Sequence, residues 1–304
     1  NASTDGTPDL LQRWARGDAS ADFDGLPFAV TPTAKPVTLH GAAPLDESGH
    51  SITLLETGSN LGFAGGVNRG LAALAELKGC DRFWVLNPDS VTPPDTARAF
   101  ATEPGPAEGF SIMGGRVLYL DRPGMIQIDG GTVTRWSGIT NNLGLFQQHA
   151  DTPPSDPAQM DFITGASMVI SRKFYETVGP MREDYFLYYE EVDWALRRGN
   201  LPLAYCPEGL VYHQAGSSIG SASLRGSASP FALYFKHRSR MMFLRRFFPQ
   251  HRLGGYGWSL AKGLQIALTG HLEESRALVL GAFGFSPPKS VREKLAPEVL
   301  ERIT

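Results

Sequence analysis

Short apolar segments of strand length alternate with segments of helix length through most of the chain. "RFWVLNP" (82–88) and "DFITGASMVIS" (161–171) are continuous apolar runs, which is typical of strands buried on both faces. Helices are predicted over "GGVNRGLAALAELKG" (65–79) and "RKFYETVG" (172–179), the second between Ser171 as its cap and Gly179 as its end. This alternation over residues 1 to about 215 predicts an α/β fold with an open, mostly parallel sheet flanked by helices.

The remaining predicted elements are further strands, a long loop and a C-terminal helix. "FSIMGGRVLYL" and "MIQIDGGTVTRW" are strand material with a turn at Pro123-Gly124, and another strand is predicted around "LAYCPEGLVYH". Residues 18–50 are predicted to form a long loop. "FALYFKHRSRMMFLRRFFP" (231–249) has the length of a helix and contains no glycine. We therefore predict an α/β domain over residues 1–225 and a C-terminal helical appendage over residues 226–304.

Composition excludes several classes of protein. Of the 304 residues 42% are hydrophobic and 19% are charged, as expected for a packed core. The net charge of -3 gives no electrostatic case for a nucleic-acid partner. Cys80 and Cys206 lie too far apart to indicate a disulfide framework or a CxxC metal site, which favours a reducing cytoplasm. The longest apolar stretch is far short of the ~20 residues that a spanning helix needs.

Three carboxylates lie among aromatic residues in "YFLYYEEVDWALRRG" (185–199). Acids near apolar surface are costly unless something pairs with them or uses them. On a helix Glu190 and Asp193 would lie about 60° apart, while Glu191 would point about 100° from Glu190, so the three cannot converge on one point. Asp193 can pair with Arg197 at the i, i+4 spacing. From this segment alone, acids that merely complement a helix dipole are an equally good interpretation.

Polar residues follow two predicted strands. Asn87, Pro88 and Asp89 end one strand, where a carboxylate suits a hard divalent cation that carries phosphate oxygens, although a turn that closes the strand is the commoner explanation. His213 ends another strand, and a lone histidine is more often structural unless Asp89 already holds a metal. The glycines of "ETGSNLGFAGGVNRG" (56–70) allow close backbone approach to a ligand, but the spacing matches neither a P-loop nor GxGxxG.

Taken together, six segments resemble the family 2 glycosyltransferases, which are inverting enzymes of the GT-A fold, and in particular their rhamnosyltransferase-like branch. The segments match in order and rough spacing from residue 1 to about 250. They are "NASTDGT", "NLGFAGGVNRG", "VLNPDS", "FITGASMVISRKFYETVGPMREDYFLYYEEVDWALRR", "VYHQAGSS" and "YFKHRSRMMFLRR". The branch usually has Arg-Asn where this chain has "HRSR".

The resemblance implies a role for each matching residue. Asp89 falls where the family's DxD-type motif supplies a metal-binding acid, with Asn87 in place of the first Asp, and His213 matches a histidine that can complete the metal site. Glu191 falls on the catalytic base, with Glu in place of the commoner Asp. Glu190 would then help to orient the acceptor pocket, and Asp193 would be directed toward Arg197. Three more residues fall near the donor nucleotide: Asn60, Phe63 and Asn68.

The implied activity is a metal-dependent inverting glycosyl transfer. A divalent metal, Mn²⁺ or Mg²⁺, would help to move a sugar from a nucleotide-diphosphate donor to a glycan or polyprenyl-linked acceptor in bacterial cell-surface polysaccharide synthesis, and the branch points to rhamnose. Three alternatives stay open: a non-catalytic glycan- or nucleotide-binding scaffold, a nucleotidyltransferase, for which a GxGTR-type signature is missing near the start, and a glycosidase, in which the metal constellation would be idle.

Two further expectations concern the ends of the chain. Family members begin with a strand–helix–strand unit before "NASTDGT", and that first strand is absent here, so we expect the native protein to have roughly 30–50 more residues. The basic and aromatic helix at 231–248 is predicted either to pack along the α/β domain or to lie at an anionic membrane surface or an oligomer interface. The second interpretation implies a cytoplasmic protein, peripheral at the inner membrane, or a homo-oligomer.

Overall fold

The computed structural model describes residues 1–41, 52–214 and 228–303. Its helices are α1 (Thr7–Arg16), α2 (Gly62–Ala75), α3 (Thr96–Thr102), α4 (Arg172–Val178), α5 (Glu190–Leu196), α6 (Pro230–Phe247), α7 (Arg252–Leu268), α8 (Leu272–Phe283), α9 (Lys289–Arg292) and α10 (Pro297–Ile303). Its strands are β1 (Leu39–His40), β2 (Ile52–Thr53), β3 (Arg82–Leu86), β4 (Ser90–Val91), β5 (Ile112–Tyr119), β6 (Arg122–Ile128), β7 (Gly131–Thr134), β8 (Ile139–Asn142), β9 (Ser167–Ser171) and β10 (Ala204–His213).

The central sheet has the strand order β3-β9-β5-β10-β4, with β6 paired to β5. The pairing of β5 with β10 is parallel, whereas β9 runs antiparallel to both β3 and β5. Strands β3, β5 and β10 therefore point the same way, and their carboxyl ends meet at one edge. The α/β class with flanking helices is confirmed. In the described sheet β3, β5 and β10 share one direction, and β4, β6 and β9 run in the opposite direction.

The turn between β5 and β6 lies three residues earlier than the sequence predicts. Tyr119 pairs with Arg122, so the chain reverses at Leu120 and Asp121, while Pro123 and Gly124 lie inside β6. A hairpin this tight can only join antiparallel strands. The proline is tolerated because this part of β6 is an exposed edge that needs no backbone donor there.

The core forms around β5 and β9, in which every residue is buried. Large side chains from both faces complete it, including Phe83, Phe174 and Trp194. The predicted boundaries of α4 are confirmed: the Ser171 hydroxyl accepts a hydrogen bond from the Phe174 amide, and Gly179 follows the last turn with a positive φ. The predicted loop at 18–50 includes β1, and its residues 42–50 lie outside the described residues.

Helix α6 packs into the molecule, as one of its two predicted interpretations expected. Phe235 and Phe243 are fully buried, and Phe243 belongs to the main core beneath the sheet. Arg240 is also completely buried, and Arg246 forms an ion pair with Asp184. Contact of α6 with a membrane surface or an oligomer interface stays a prediction. The helical character of the C-terminal region is confirmed, while its predicted start at residue 226 lies outside the described residues.

Exposed apolar surface lies instead on α7. Leu253, Leu260, Leu264 and Leu268 follow spacings that share one helical face, and each is more than half exposed. Within the part of the chain that the structure describes, no helix combines the length and hydropathy needed to cross a bilayer.

Candidate functional site

The carboxyl ends of β3 and β10 bring Asp89 and His213 together. After β3, the Ser90 amide donates to the Asn87 carbonyl at 3.1 Å, which closes a turn that contains Asp89. Strand β4 then pairs with β10, with Ser90 opposite His213. The result is a distance of 3.2 Å between His213 Nε2 and Asp89 Oδ1. Both side chains are mostly shielded from solvent, so the pair lies at the edge where ligands bind in open α/β sheets.

The chemistry of this pair fits a divalent cation. Burial lowers the pKa of His213, although Asp89 opposes the shift, so the imidazole is neutral as metal ligation requires. Gln127 lies 3.0 Å from His213 Nδ1 and orients the ring from the other side. In residues 1–41, 52–214 and 228–303 no group of three or more His, Cys, Asp or Glu residues is placed to hold a metal ion.

The acidic segment has an unusual backbone. Phe186, Tyr188 and Tyr189 all have positive φ values, of 68°, 65° and 71°. Each bulky residue in this region costs about 1–3 kcal/mol, so surrounding contacts must hold it there. The Tyr189 hydroxyl donates to the Gly138 carbonyl at 2.6 Å, and the ring of Phe186 lies 5.1 Å from that of Phe235. Contacts with the β7–β8 hairpin and with α6 therefore hold this strained backbone in place. The strained segment sets where α5 begins.

Glu190 and Glu191 open α5 in different environments. Glu190 is 2% exposed, and its Oε2 has no hydrogen-bond partner within the described residues. Burial, followed by the charge of Glu191, raises the pKa of Glu190 well above its usual value. Glu191 is half-buried, and burial raises its pKa to about 6, with Lys236 acting against the shift. One acid is thus held neutral, and the other is poised to exchange a proton near neutral pH.

Asp193 contacts Arg197, as its spacing predicts. Its Oδ1 accepts a hydrogen bond of 2.7 Å from Arg197 Nε, which confirms the i, i+4 pair. Its Oδ2 accepts another of 2.9 Å from the Tyr185 hydroxyl. Asp193 is completely buried, so these bonds fix α5 to the segment that precedes it.

The segment predicted to lie near the donor nucleotide is tied to the acidic segment. The Phe63 amide donates to the Phe186 carbonyl at 3.1 Å, and a Cβ on Gly62 would collide with that same carbonyl. The amide group of Asn68 bonds to both backbone groups of Met181 and to Glu183. Asn68 therefore joins α2 to the segment before α5, and a contact with the nucleotide stays a prediction for it.

Asn60 lies beside the first residue of the chain. Asn1 accepts a hydrogen bond of 2.9 Å from the Leu61 amide and donates one of 2.9 Å to the Gly62 carbonyl. The Asn60 side chain accepts from the Gly62 amide at 3.0 Å. The segments "NASTDGT" and "NLGFAGGVNRG" therefore lie together, as a shared role in ligand binding would require.

Comparisons with known proteins name sugar transferases. No family model matches the chain. The low-salt glycan biosynthesis hexosyltransferase Agl10 of Haloferax volcanii is 28% identical over 161 residues, which are 51% of this chain and 49% of the relative. The N-acetylglucosaminyl-diphospho-decaprenol L-rhamnosyltransferase of Mycobacterium tuberculosis is 29% identical over 217 residues, or 64% of this chain and 67% of the relative. Both relatives are named as glycosyltransferases, and the chain is similar to them over half to two thirds of its length.

A solved structure gives a weaker likeness. GalNAc-T7 with UDP, GalNAc and Mn²⁺ is 12% identical with a TM-score of 0.46, covering 84% of this chain and 46% of that one. The chain spans about half the length of the first of the two sequence relatives named above and two thirds of the second.

Two groups at the site could not be recognised from the amino-acid sequence. Gln127 is an ordinary polar residue in an alternating strand, and only the pairing of β5 with both β6 and β10 brings it to His213. Lys236 lies 45 positions after Glu191, and only the packing of α6 brings its charge near that acid. A search of the helical region for basic residues without an acidic neighbour in sequence could have selected Lys236. It could not have identified Glu191 as the acid that its charge affects.

We expect Glu190→Gln to stabilise the protein at neutral pH. The folded-state pKa of Glu190 lies above its usual value of 4.5, so ionisation favours the unfolded chain and stability is lost as pH rises above 4.5. Removing the charge should raise the free energy of unfolding by about 1 kcal/mol or more at pH 7, with the gain shrinking toward pH 4.5. Urea unfolding at several pH values measures it. Glu208 is exposed, so Glu208→Gln is the matched control. If both variants changed the free energy of unfolding equally at every pH, burial of Glu190 would not be the cause.

Proposed function

We propose that the chain is a metal-dependent inverting glycosyltransferase with a GT-A-like fold, in which Glu191 is the general base. The observation that carries the proposal is the poised Glu191, whose pKa of about 6 lies in the range that suits a base at neutral pH. A second supporting observation is the proximity of Asp89 and His213 at the carboxyl edge of the sheet.

Each site residue has a separate role in the proposed reaction. The Glu191 carboxylate takes the proton from the acceptor hydroxyl while that oxygen attacks the anomeric carbon, and the nucleoside diphosphate leaves from the opposite face, so the anomeric centre inverts. Glu190 stays protonated beside it and does not compete for the proton. Asp193 holds α5 in place through Arg197. Asp89 and His213 would hold a divalent cation, Mn²⁺ or Mg²⁺, which when bound would neutralise charge on the departing diphosphate.

The substrates are proposed from the relatives. One relative is named as a hexosyltransferase of glycan biosynthesis, and the other is named for a lipid-linked diphosphate acceptor and for L-rhamnose. We therefore propose a nucleotide-diphosphate sugar as donor and a polyprenyl-linked or glycan hydroxyl as acceptor, with rhamnose as the first sugar to test. Asn87 and the segment that contains Asn60, Phe63 and Asn68 are the proposed surroundings of the nucleotide.

The cellular setting is also proposed. A cytoplasmic location, with contact at the inner membrane or self-association, stays a prediction. In helix α6, on which the prediction of contact rested, Arg240 is buried and Arg246 is paired with Asp184.

A donor screen tests the proposal. Thermal unfolding is followed with UDP-, dTDP- and GDP-sugars, each with Mn²⁺ and with EDTA. A ligand at about 100 times its dissociation constant stabilises the folded state by about 2.7 kcal/mol, so one nucleotide class should raise Tm clearly, and only with the metal. If no donor shifts Tm, the proposal is wrong. If a donor binds but no acceptor is glycosylated, the non-catalytic scaffold is favoured.

A further inference from the structure

A cavity of about 710 Å³ lies between α6, α7 and α8. Its volume is within the range of sites for small organic ligands. Apolar side chains line one part of it, including Leu233, Trp258 and Ile266, and Tyr188 lies at its edge. None of the residues predicted from the sequence as site residues lines this cavity.

The cavity adjoins the proposed base. Tyr188 is three residues before Glu191, at the strained start of α5. Lys236 lines the cavity, and its charge acts on the pKa of Glu191. A hydroxyl that gives its proton to Glu191 must come within hydrogen-bond reach of it, so a molecule in this cavity is well placed to present one.

The charged groups of the cavity are mainly basic. Lys236 and Lys262 both line it, and neither forms an ion pair within the described residues. The Lys262 ammonium has only a neutral partner, the Gln265 amide oxygen at 3.0 Å. The acid in the lining, Glu274, lies 3.8 Å from His271. The excess positive charge suits an anionic ligand.

His237 provides an independent indication of a polar ligand. It lines the cavity and is only 3% exposed, yet its Nδ1 has no hydrogen-bond partner within the described residues. Its ring is stacked on Trp258, with centroids 5.5 Å apart. Buried polar groups in proteins are nearly always bonded, so the unpaired Nδ1 marks His237 as a polar group of the cavity wall whose hydrogen bonds the described residues do not complete.

We propose that this cavity binds the acceptor, and that Lys236, His237 and Lys262 bind a phosphate or diphosphate group which the acceptor carries. The inference rests on the proposed function, because it takes Glu191 as the base. Lys236 and Lys262 neutralise the anion, while Leu233, Ile266 and Trp258 contact an apolar chain attached to it. The sugar hydroxyl then points past Tyr188 toward Glu191.

Binding to the full chain is measured by calorimetry with three probes: decyl diphosphate, inorganic diphosphate and uncharged decyl glucoside. We expect the diphosphates to bind and the glucoside to bind at least about tenfold more weakly than decyl diphosphate. Tighter binding of decyl diphosphate than of inorganic diphosphate supports a lipid-linked acceptor, and equal affinities support a soluble phosphorylated one. A glucoside that binds as tightly as decyl diphosphate overturns the proposal.

Lys262→Gln locates the site without changing the neighbour of Glu191. The substitution should lower the affinity for decyl diphosphate about tenfold, which is the effect of losing one charge-assisted hydrogen bond. Lys262→Arg should retain most of the native affinity. The exposed Lys294→Gln is the control in the same region and should bind as the native chain does. Unchanged diphosphate affinity in Lys262→Gln would place the ligand elsewhere and overturn the proposal.

Kinetics separate this inference from the proposed function. With transfer established, Lys262→Gln should raise the KM of a diphosphate-linked acceptor about tenfold, with kcat and the KM of the donor near their native values. A rise in the KM of the donor instead would assign the cavity to the nucleotide and overturn the acceptor assignment, while leaving the transferase activity intact. Absence of donor binding and turnover in the native chain would instead refute the proposed function.

Discussion

Glu191→Gln is expected to lower the turnover number by about 10²–10⁴-fold, the usual contribution of a general base, and to leave donor affinity nearly unchanged. The glutamine keeps the shape of the side chain but cannot take the proton of the acceptor hydroxyl. Initial rates at saturating donor and acceptor measure the first effect, and calorimetry with the nucleotide measures the second. Unchanged turnover would remove Glu191 from the mechanism.

The Glu190→Gln variant and the pH profile distinguish which of the two acids, Glu190 or Glu191, is the base. The base must be ionised to act, so kcat/KM of the native chain should fall about tenfold per pH unit below the Glu191 pKa of about 6. Glu191→Gln should lose that acid limb. Glu190→Gln should retain it and cost less activity, because its carboxyl is already held protonated. A larger loss of turnover in Glu190→Gln would assign the base to Glu190 instead.

Asp89→Ala is expected to weaken metal-dependent binding of the nucleotide diphosphate by about 100-fold or more. Loss of a residue that merely orients a metal ligand costs about 10–100-fold in affinity, and Asp89 is the proposed ligand itself. The substitution also leaves His213 without the carboxylate 3.2 Å away. Calorimetry with Mn²⁺ and with EDTA measures the change.

Asp95→Ala is the matched control for this variant. Asp95 follows the same strand end by a few residues, and its side chain is 84% exposed, so its removal should leave nucleotide affinity unchanged. Equal affinity of the native chain in Mn²⁺ and in EDTA would exclude the metal from nucleotide binding, and Asp89 would then be a turn residue.

Local features of the site could be predicted from the sequence. The apolar run of β3 followed by Asn87 and Pro88 indicates a strand end, and the turn there is present. The pair of Asp193 and Arg197 follows from helical spacing alone and is present. Both predictions succeed because the interacting groups are close in sequence, so backbone geometry determines their separation.

Long-range features could not be predicted in this way. Basic and aromatic residues alternate along helix α6. From the sequence alone, this pattern was compatible with a helix that lies at a membrane surface. Its packing against α8 and the core makes Arg240 internal, bonded to the Ser137 carbonyl. The antiparallel direction of β9 likewise depends on how the chain between β8 and β9 returns to the sheet, which apolar periodicity does not report.

The sequence by itself determined the α/β class, the places where strands β3 and β10 end in polar residues, and the identity of the acids at the start of α5, because these depend on residue type and short spacing. Only the tertiary structure decided that His213 lies against Asp89, and that Glu190 is buried and unpaired while Glu191 lies near Lys236. The physical reason is that desolvation and charge interactions depend on distances across the fold, which are set when β10 and α6 pack against elements far away in the chain.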